Sequence, residues 1–318
     1  MGLNLTGSPT GLTSTFLADS RTTPRRRTDP KHRLRSQRAL PRDLVQAGLR
    51  ARKSLGQHFL TDRRILRRII TAAKLSHDDT VVEVGAGLGV LTAQLVRYAG
   101  KVIAVEVDRG LCDHLRRRFD GASNLSIVCR DILSVQPTDL LESADATPPY
   151  VVVGNLPYNI AAAVLRLFLE TTERPQRMIV MLQKEVAQSI VAQPGRMSLL
   201  ALSVQFYAVP RLLFTVPPSS FRPPPKVESA VLRIDVRDTP AVPVDHVEGF
   251  FRFLRAGFSA PRKQLRNALS HALGVDASSV GEALRRAGID PSLRAQVLSL
   301  EQWATLYRAF ASESGGQP

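Results

Sequence analysis

Val81-Val82-Glu83-Val84-Gly85-Ala86-Gly87-Leu88-Gly89 is the stretch that decides the fold of this chain. Its apolar run has the character of a strand buried on both faces, and the glycines that end it let a backbone approach a ligand closely. An amphipathic helical stretch from Val90 to Tyr98 follows, and a second strand from Lys101 to Val105 ends in Glu106. Glu106 stands 21 residues beyond Gly85, a spacing suited to a carboxylate that grips a ribose diol. The glycine spacing is G-x-G-x-G, which differs from the G-x-G-x-x-G that seats a pyrophosphate on a helix N-terminus. The pattern therefore favours S-adenosyl-L-methionine, which carries no phosphates, over a dinucleotide. A tight turn in any α/β domain can look similar, so the glycines gain their meaning from the strands and loops beyond them.

Further apolar runs alternate with helical patterns: Leu125 to Cys129, Tyr150 to Gly154 and Met178 to Leu182. That alternation predicts a doubly wound α/β fold on a parallel sheet, whose strand ends gather at one edge. Asp131, just past the third strand, is then either an acceptor for the adenine amine of the cofactor or a solvated loop carboxylate. Gln183-Lys184-Glu185 starts a helix, where Glu185 suits the positive N-terminus.

Asn155-Leu156-Pro157-Tyr158 comes directly after the strand Tyr150 to Gly154 and points to a flat, amino-bearing base as substrate. The lone pair of an exocyclic amine is delocalised into its ring, which makes it a poor nucleophile. Two acceptors, the Asn155 side-chain oxygen and the Leu156 carbonyl, would draw that nitrogen toward tetrahedral geometry and stabilise the transition state by placed dipoles. Pro157 stiffens the loop, and Tyr158 can stack on the base for about 1–3 kcal/mol. The competing reading is an ordinary β-to-α turn, in which Asn and Pro are common.

Together these residues resemble the small-subunit ribosomal RNA adenine dimethyltransferases over about residues 41 to 310. The motifs are Lys53-Ser54-Leu55-Gly56-Gln57-His58-Phe59-Leu60, the Glu83 to Gly89 turn, Glu106, Asp131, Asn155 to Ile160 and Gln183 to Ala187. Phe221-Arg222-Pro223-Pro224-Pro225-Lys226-Val227-Glu228-Ser229 and Arg262-Lys263-Gln264-Leu265-Arg266-Asn267 complete the ordered set. The resemblance implies a Rossmann-like class I methyltransferase sheet with a small C-terminal helical domain. It implies cofactor contacts from His58, Leu60, Gly85, Glu106, Asp131 and Asn155, and transfer of four methyl groups to two adjacent adenosines in a hairpin near the 3′ end of small-subunit RNA. His58 is a departure, because the family usually shows Asn there. Phe221, in a proline-rich loop, is expected to face the target base opposite Tyr158; packing in the core is its other reading.

The chain has 318 residues, a net charge of +15 and 44% hydrophobic residues, enough for one sizeable α/β domain and a smaller one. We expect a basic extension over residues 1–44, a methyltransferase domain over 45–237 and a helical RNA-binding domain over 238–318. The partners implied are small-subunit ribosomal RNA and the immature small ribosomal subunit, met by a monomer. No charge-free apolar run reaches about 18 residues, so no membrane partner is expected. Cys112 and Cys129 give neither metal-ligand spacing nor a disulfide framework, which suits a reducing, cytoplasmic setting. No metal is expected.

Residues 21–50 hold ten Lys/Arg against two Asp, a surplus of eight out of fifteen. Rich in Arg, Pro, Ser and Thr, the first 40 residues have a disordered composition. They fit an RNA-binding arm, a solvated tail, a start codon placed too early or a transit peptide; Met1-Gly2…Thr6 nominally fits myristoylation. Glu228 to Val236 alternates as a strand closing the sheet beside Arg211 to Val216. Pro240 and Pro243 mark a linker, and Val247 to Phe310 reads as short helices. In the latter, Arg252, Arg255, Arg262, Lys263 and Arg266 form a segment without acidic residues that can follow phosphates.

Three rivals share parts of this pattern. A dehydrogenase explains Gly85 to Glu106 and leaves Asn155 to Tyr158 idle. A large-subunit RNA methyltransferase of the macrolide-resistance type shares most motifs, although Leu156 and Asn159-Ile160 resemble the small-subunit enzymes more. A ribosome-assembly or mitochondrial transcription factor would keep the RNA grip with methylation secondary.

Overall fold

The computed structural model describes residues 50–312; the basic N-terminal stretch, with every expectation placed on it, lies outside them. At the centre is a seven-stranded sheet in the order β4-β3-β2-β5-β6-β9-β7. The strands are β2 (Thr80–Val84), β3 (Lys101–Glu106), β4 (Leu125–Cys129), β5 (Tyr150–Asn155), β6 (Arg177–Gln183), β7 (Ala208–Val216) and β9 (Ser229–Val236). From β4 to β6 all neighbours are parallel, as the alternation of strand and helix patterns requires. β9 and β7 then add antiparallel. β7, not β9, forms the sheet edge, and Pro210 shows why: it has no N–H to give to a second neighbour. β9 is sandwiched, with Ala230, Val231, Leu232 and Ile234 all fully buried. A two-stranded antiparallel ribbon, β1 (Phe59–Leu60) with β8 (Phe221–Arg222), stands apart from the sheet.

Alternate side chains of the central strands feed two cores, as a period of two demands. Val81, Val151, Val153, Ile179 and Val231 pack against α1 (Arg63–Ala73) and α2 (Thr92–Tyr98). Val82, Val152, Val180 and Leu232 face the other side, with α5 (Ala161–Leu169) and α7 (Leu199–Tyr207). Each such aliphatic side chain contributes about 1.5–3 kcal/mol on burial. α1 shows how sequence sets an element. Asp62 caps its first turn by accepting from Arg64 N at 2.8 Å, and Ile65, Leu66, Ile69 and Ala73 line one buried stripe at helical spacing. Lys74 ends it in the left-handed conformation.

The second core does not stop at the sheet. α8 (Val247–Gly257), α9 (Leu265–Leu273), α10 (Ala277–Arg286) and α11 (Leu300–Ala311) continue it through Phe250, Phe253, Leu269, Leu284, Trp303 and Phe310. Phe206 and Tyr207 of α7 meet Phe251 of α8 at ring-centroid distances of 5.2 and 5.8 Å. Short helices over this stretch match the sequence reading.

The cysteines correct an expectation. Cys112, on α3 (Arg109–Arg118), and Cys129, at the end of β4, are joined in a disulfide with their Cα atoms 5.9 Å apart. Their spacing of 17 residues gave no hint. The packing of α3 over the β3–β4 pair, in which Glu106 lies opposite Cys129, brings the two sulfurs together.

Candidate active site

The glycine turn supplies the floor of the site. Gly85 and Gly87 have φ of +75° and +57°, a left-handed region that side chains with a Cβ resist. A Cβ on Gly87 would also stand 3.3 Å from the Phe59 ring. One cleft opens there, at the carboxyl ends of β2, β3, β4 and β5. Its walls include His58, Gly85, Glu106, Asp131, Asn155, Leu156, Pro157 and Tyr158. Eight of the residues singled out in the sequence are thus brought together. Leu60 lines an adjoining hollow with Phe59, Gly85, Gly87 and Asn155.

Glu106 is buried and takes three backbone donors: Gly87 N at 2.8 Å and the amides of Val107 and Asp108, each at 3.0 Å. Burial still raises its pKa above the ordinary carboxyl range, since the water it gave up outweighs those dipoles. Asp131 is exposed and holds the turn after β4 by accepting from Leu133 N, and it lines the cavity.

Asn155 is held from outside the sheet. Its Nδ2 donates to the His58 carbonyl at 3.0 Å, so its Oδ1 is the end of the amide left to accept. Leu156 is buried, with its N–H tied to Met181 O at 2.9 Å, and Pro157 accepts from Ile160 N to close the turn. The Tyr158 hydroxyl shares a 2.7 Å hydrogen bond with Ser229 Oγ. Burial raises its pKa, which keeps the ring a neutral phenol. The His58 ring lies stacked 6.0 Å from it and donates Nδ1–H to Pro223 O at 2.8 Å.

Phe221 is not on the cavity wall, which corrects the expectation that it faces the target base. Its ring is fully buried with Ile65, Met181 and Val216, because pairing of β8 with β1 turns it inward. Glu83, quoted in the sequence as part of the glycine-turn motif, and Asp108, which the sequence reading missed, gain their roles only in the fold. Glu83 is buried beneath the glycine turn, accepts from Thr92 Oγ1 at 2.6 Å and has its pKa raised to about 8 by burial. Asp108 receives Arg52 Nε at 3.0 Å and Gln57 Nε2 at 3.4 Å, so it straps residues 52–58 over the cavity. A carboxylate two residues past Glu106 was the available signal.

These residues fit a nucleoside sulfonium. A buried carboxylate aimed into the cavity matches a diol, and the left-handed glycine turn brings backbone close.

Comparison with known proteins decides the family: the model described as "Ribosomal RNA adenine dimethylase" matches residues 48–312. The chain belongs to the ribosomal RNA adenine dimethylase family. Membership makes it an S-adenosylmethionine-dependent rRNA methyltransferase. The "Ribosomal RNA small subunit methyltransferase A" of Dehalococcoides mccartyi strain BAV1 is 47% identical over 83% of this chain and 89% of its own. The protein of that name from Pelotomaculum thermopropionicum is 43% identical over 88% and 98%. Among solved structures, the 23S rRNA methyltransferase ErmE aligns with a TM-score of 0.63 at 27% identity, covering 79% of this chain and 99% of that one. A dimethyladenosine transferase from Plasmodium falciparum shares the fold with a TM-score of 0.67 at 23% identity, over 82% and 99%. The family fold explains why the site sits at the strand ends, and no helix among the described residues is long and apolar enough to cross a membrane.

Proposed function

We propose that this protein dimethylates the N6 amines of two adjacent adenosines in the 3′-terminal hairpin of small-subunit ribosomal RNA, acting as a monomer on the immature small subunit. The observation that carries the reading is the Asn155 amide, whose nitrogen is committed to the His58 carbonyl while its oxygen remains an acceptor beside Leu156 and Tyr158. The relatives' small-subunit name supports the choice of RNA.

When bound, S-adenosylmethionine supplies an electrophilic methyl group on sulfur. Glu106, Asp131, Leu60, His58 and the Gly85–Gly87 backbone are the groups that would hold it. Asn155 Oδ1 and the Leu156 carbonyl accept the two N–H bonds of the adenine amine, turning its lone pair out of the ring plane. The fixed amide costs little reorganisation as charge develops. After the first transfer one N–H remains, and one of the two acceptors still orients it. Tyr158 holds the base by its face. The target adenosine must be extruded from any duplex, since its amine is otherwise hidden. Residues 238–312 present Arg252, Arg255, Arg262, Lys263 and Arg266, all exposed, to the RNA backbone.

Incubating the protein with labelled S-adenosylmethionine and undermethylated small subunits, then mapping label by nuclease digestion and mass spectrometry, tests the proposal. Dimethyladenosine in the 3′-terminal hairpin, lost in Asn155→Ala, supports it. Label confined to large-subunit RNA, or on neither subunit, overturns it.

A further inference from the structure

The second basic surface of this molecule lies on the opposite face of the sheet from α8 and α9. On α1, Arg63, Arg64 and Arg67 are exposed, and no hydrogen bond or ion pair engages their guanidinium groups among the described residues. Arg68 lies flat over Phe214 of β7, its guanidinium carbon 3.6 Å from the ring centroid, so it is splinted in place while its edges face outward. Arg211 of β7 is exposed and pairs in register with Arg233. Partners directly opposite in an antiparallel ladder share a face. Arg233 reaches Ala72 O of α1, so Arg211 lies on the α1 side too.

The nearby carboxylates are already used. Asp62 caps α1 and also takes Ser220 Oγ, and Asp235 is shared by Arg177 and Arg233. What remains is a row of arginines without free acid. This face carries a single sign, and its helix starts three residues past Leu60 of the ribbon that borders the cavity. Thr61, just before α1, donates its N–H to Ser220 O at 2.9 Å, beside the ribbon whose Phe59 lines the cavity and whose Leu60 lines the adjoining hollow. Ile69 of α1 lines the same hollow.

We infer that the arginine face of α1, with Arg211, binds the phosphates of the RNA strand flanking the target adenosine. This rests on the substrate reading above and adds to it a grip on both faces of the sheet. α1 is about 16 Å long, a length over which one strand of a helix offers about four or five phosphates. Planar guanidinium forks suit them better than ammonium groups do.

The test compares Arg63→Gln/Arg67→Gln with Arg116→Gln/Arg117→Gln, an equal loss of charge on α3 at the far edge of the sheet. With undermethylated small subunits as substrate, the α1 double variant is expected to raise KM about tenfold. Its plot of log affinity against log salt should be shallower by about 1.4, two contacts at about 0.7 each. Affinity for S-adenosylhomocysteine should be unchanged. Arg211→Gln, on another element, should raise KM by about fourfold and so does not depend on α1 folding. Equal KM and equal salt slopes in both double variants overturn the inference. If the wild type methylates neither subunit, the substrate reading itself fails, which these variants cannot mimic.

Discussion

Replacing Glu83 by Gln removes one ionisation from the middle of the sheet and should change how stability depends on pH. Glu83 has an ordinary value of 4.5 and is held at about 8 in the folded protein, chiefly because burial penalises the charged form. Thr92 Oγ1–H opposes the shift, and the nearby Glu106 charge adds to it. Between pH 4.5 and 8 the folded chain keeps a proton that the unfolded chain has lost, so stability falls as pH rises and levels off above 8. Below 4.5 the contribution is fully present. Each pKa unit is about 1.4 kcal/mol, so the full span amounts to about 5 kcal/mol. Glu83→Gln keeps the shape and cannot ionise. Urea midpoints of both proteins, measured from pH 5 to pH 9 at matched m-values, should therefore converge at low pH and separate in favour of the variant toward pH 9. Parallel curves across that range would refute the account, because they would mean Glu83 ionises alike in both states.

Asn155→Ala should lower single-turnover methyl transfer by about 100- to 1,000-fold, the scale of removing one placed transition-state dipole, with S-adenosylhomocysteine affinity changed far less; a drop under threefold would refute that role. Tyr158→Ala should forfeit about 1–3 kcal/mol of stacking, read as a raised KM for RNA, whereas Tyr158→Phe loses only the Ser229 hydrogen bond and should stay close to wild type. Gly87→Ala forces a left-handed alanine at about 1–2 kcal/mol and pushes on Phe59, so calorimetry should show weakened S-adenosylhomocysteine binding. Asp108→Asn keeps an acceptor for Gly110 N and loses the ion pair to Arg52, whose side chain is 60% exposed. Because Asp108 is only 5% exposed, the exposed-pair scale of about 0–1 kcal/mol sets a floor, and ligand release should quicken, most at low salt.

The parallel strands were legible because strands buried on both faces leave uninterrupted apolar runs, and the residues at their ends fell into one cavity as the doubly wound pattern requires. Asn155, Glu106 and Asp131 could be placed beside one another for that reason. Phe221 could not be placed, since the prolines around it argue for a stiff loop and say nothing of a two-residue ribbon that turns its ring inward. The Cys112–Cys129 pairing depends on how α3 lies over β4, which no spacing encodes. Glu83 looked like a motif letter; its raised pKa arises only once strands and α2 close around it. The arginines of α1 were visible as residues, but which of them point outward, and what they adjoin, is settled by the packing of Ile65 and Ile69.

The aromatic cluster of Phe206, Tyr207 and Phe251 welds the C-terminal helices to the back of the sheet, and under the function proposed above the mechanical consequence falls on the RNA. With a solid core behind it, the span from the exposed arginines of α8 and α9 to the Asn155 cavity is set like the gap of a caliper. A strand laid on those arginines, as proposed above, meets a fixed distance to the cavity. The bending and unstacking needed to seat an adenosine must then be done by the nucleic acid, so RNA already loose at that point is favoured over a stiff helix of the same sequence.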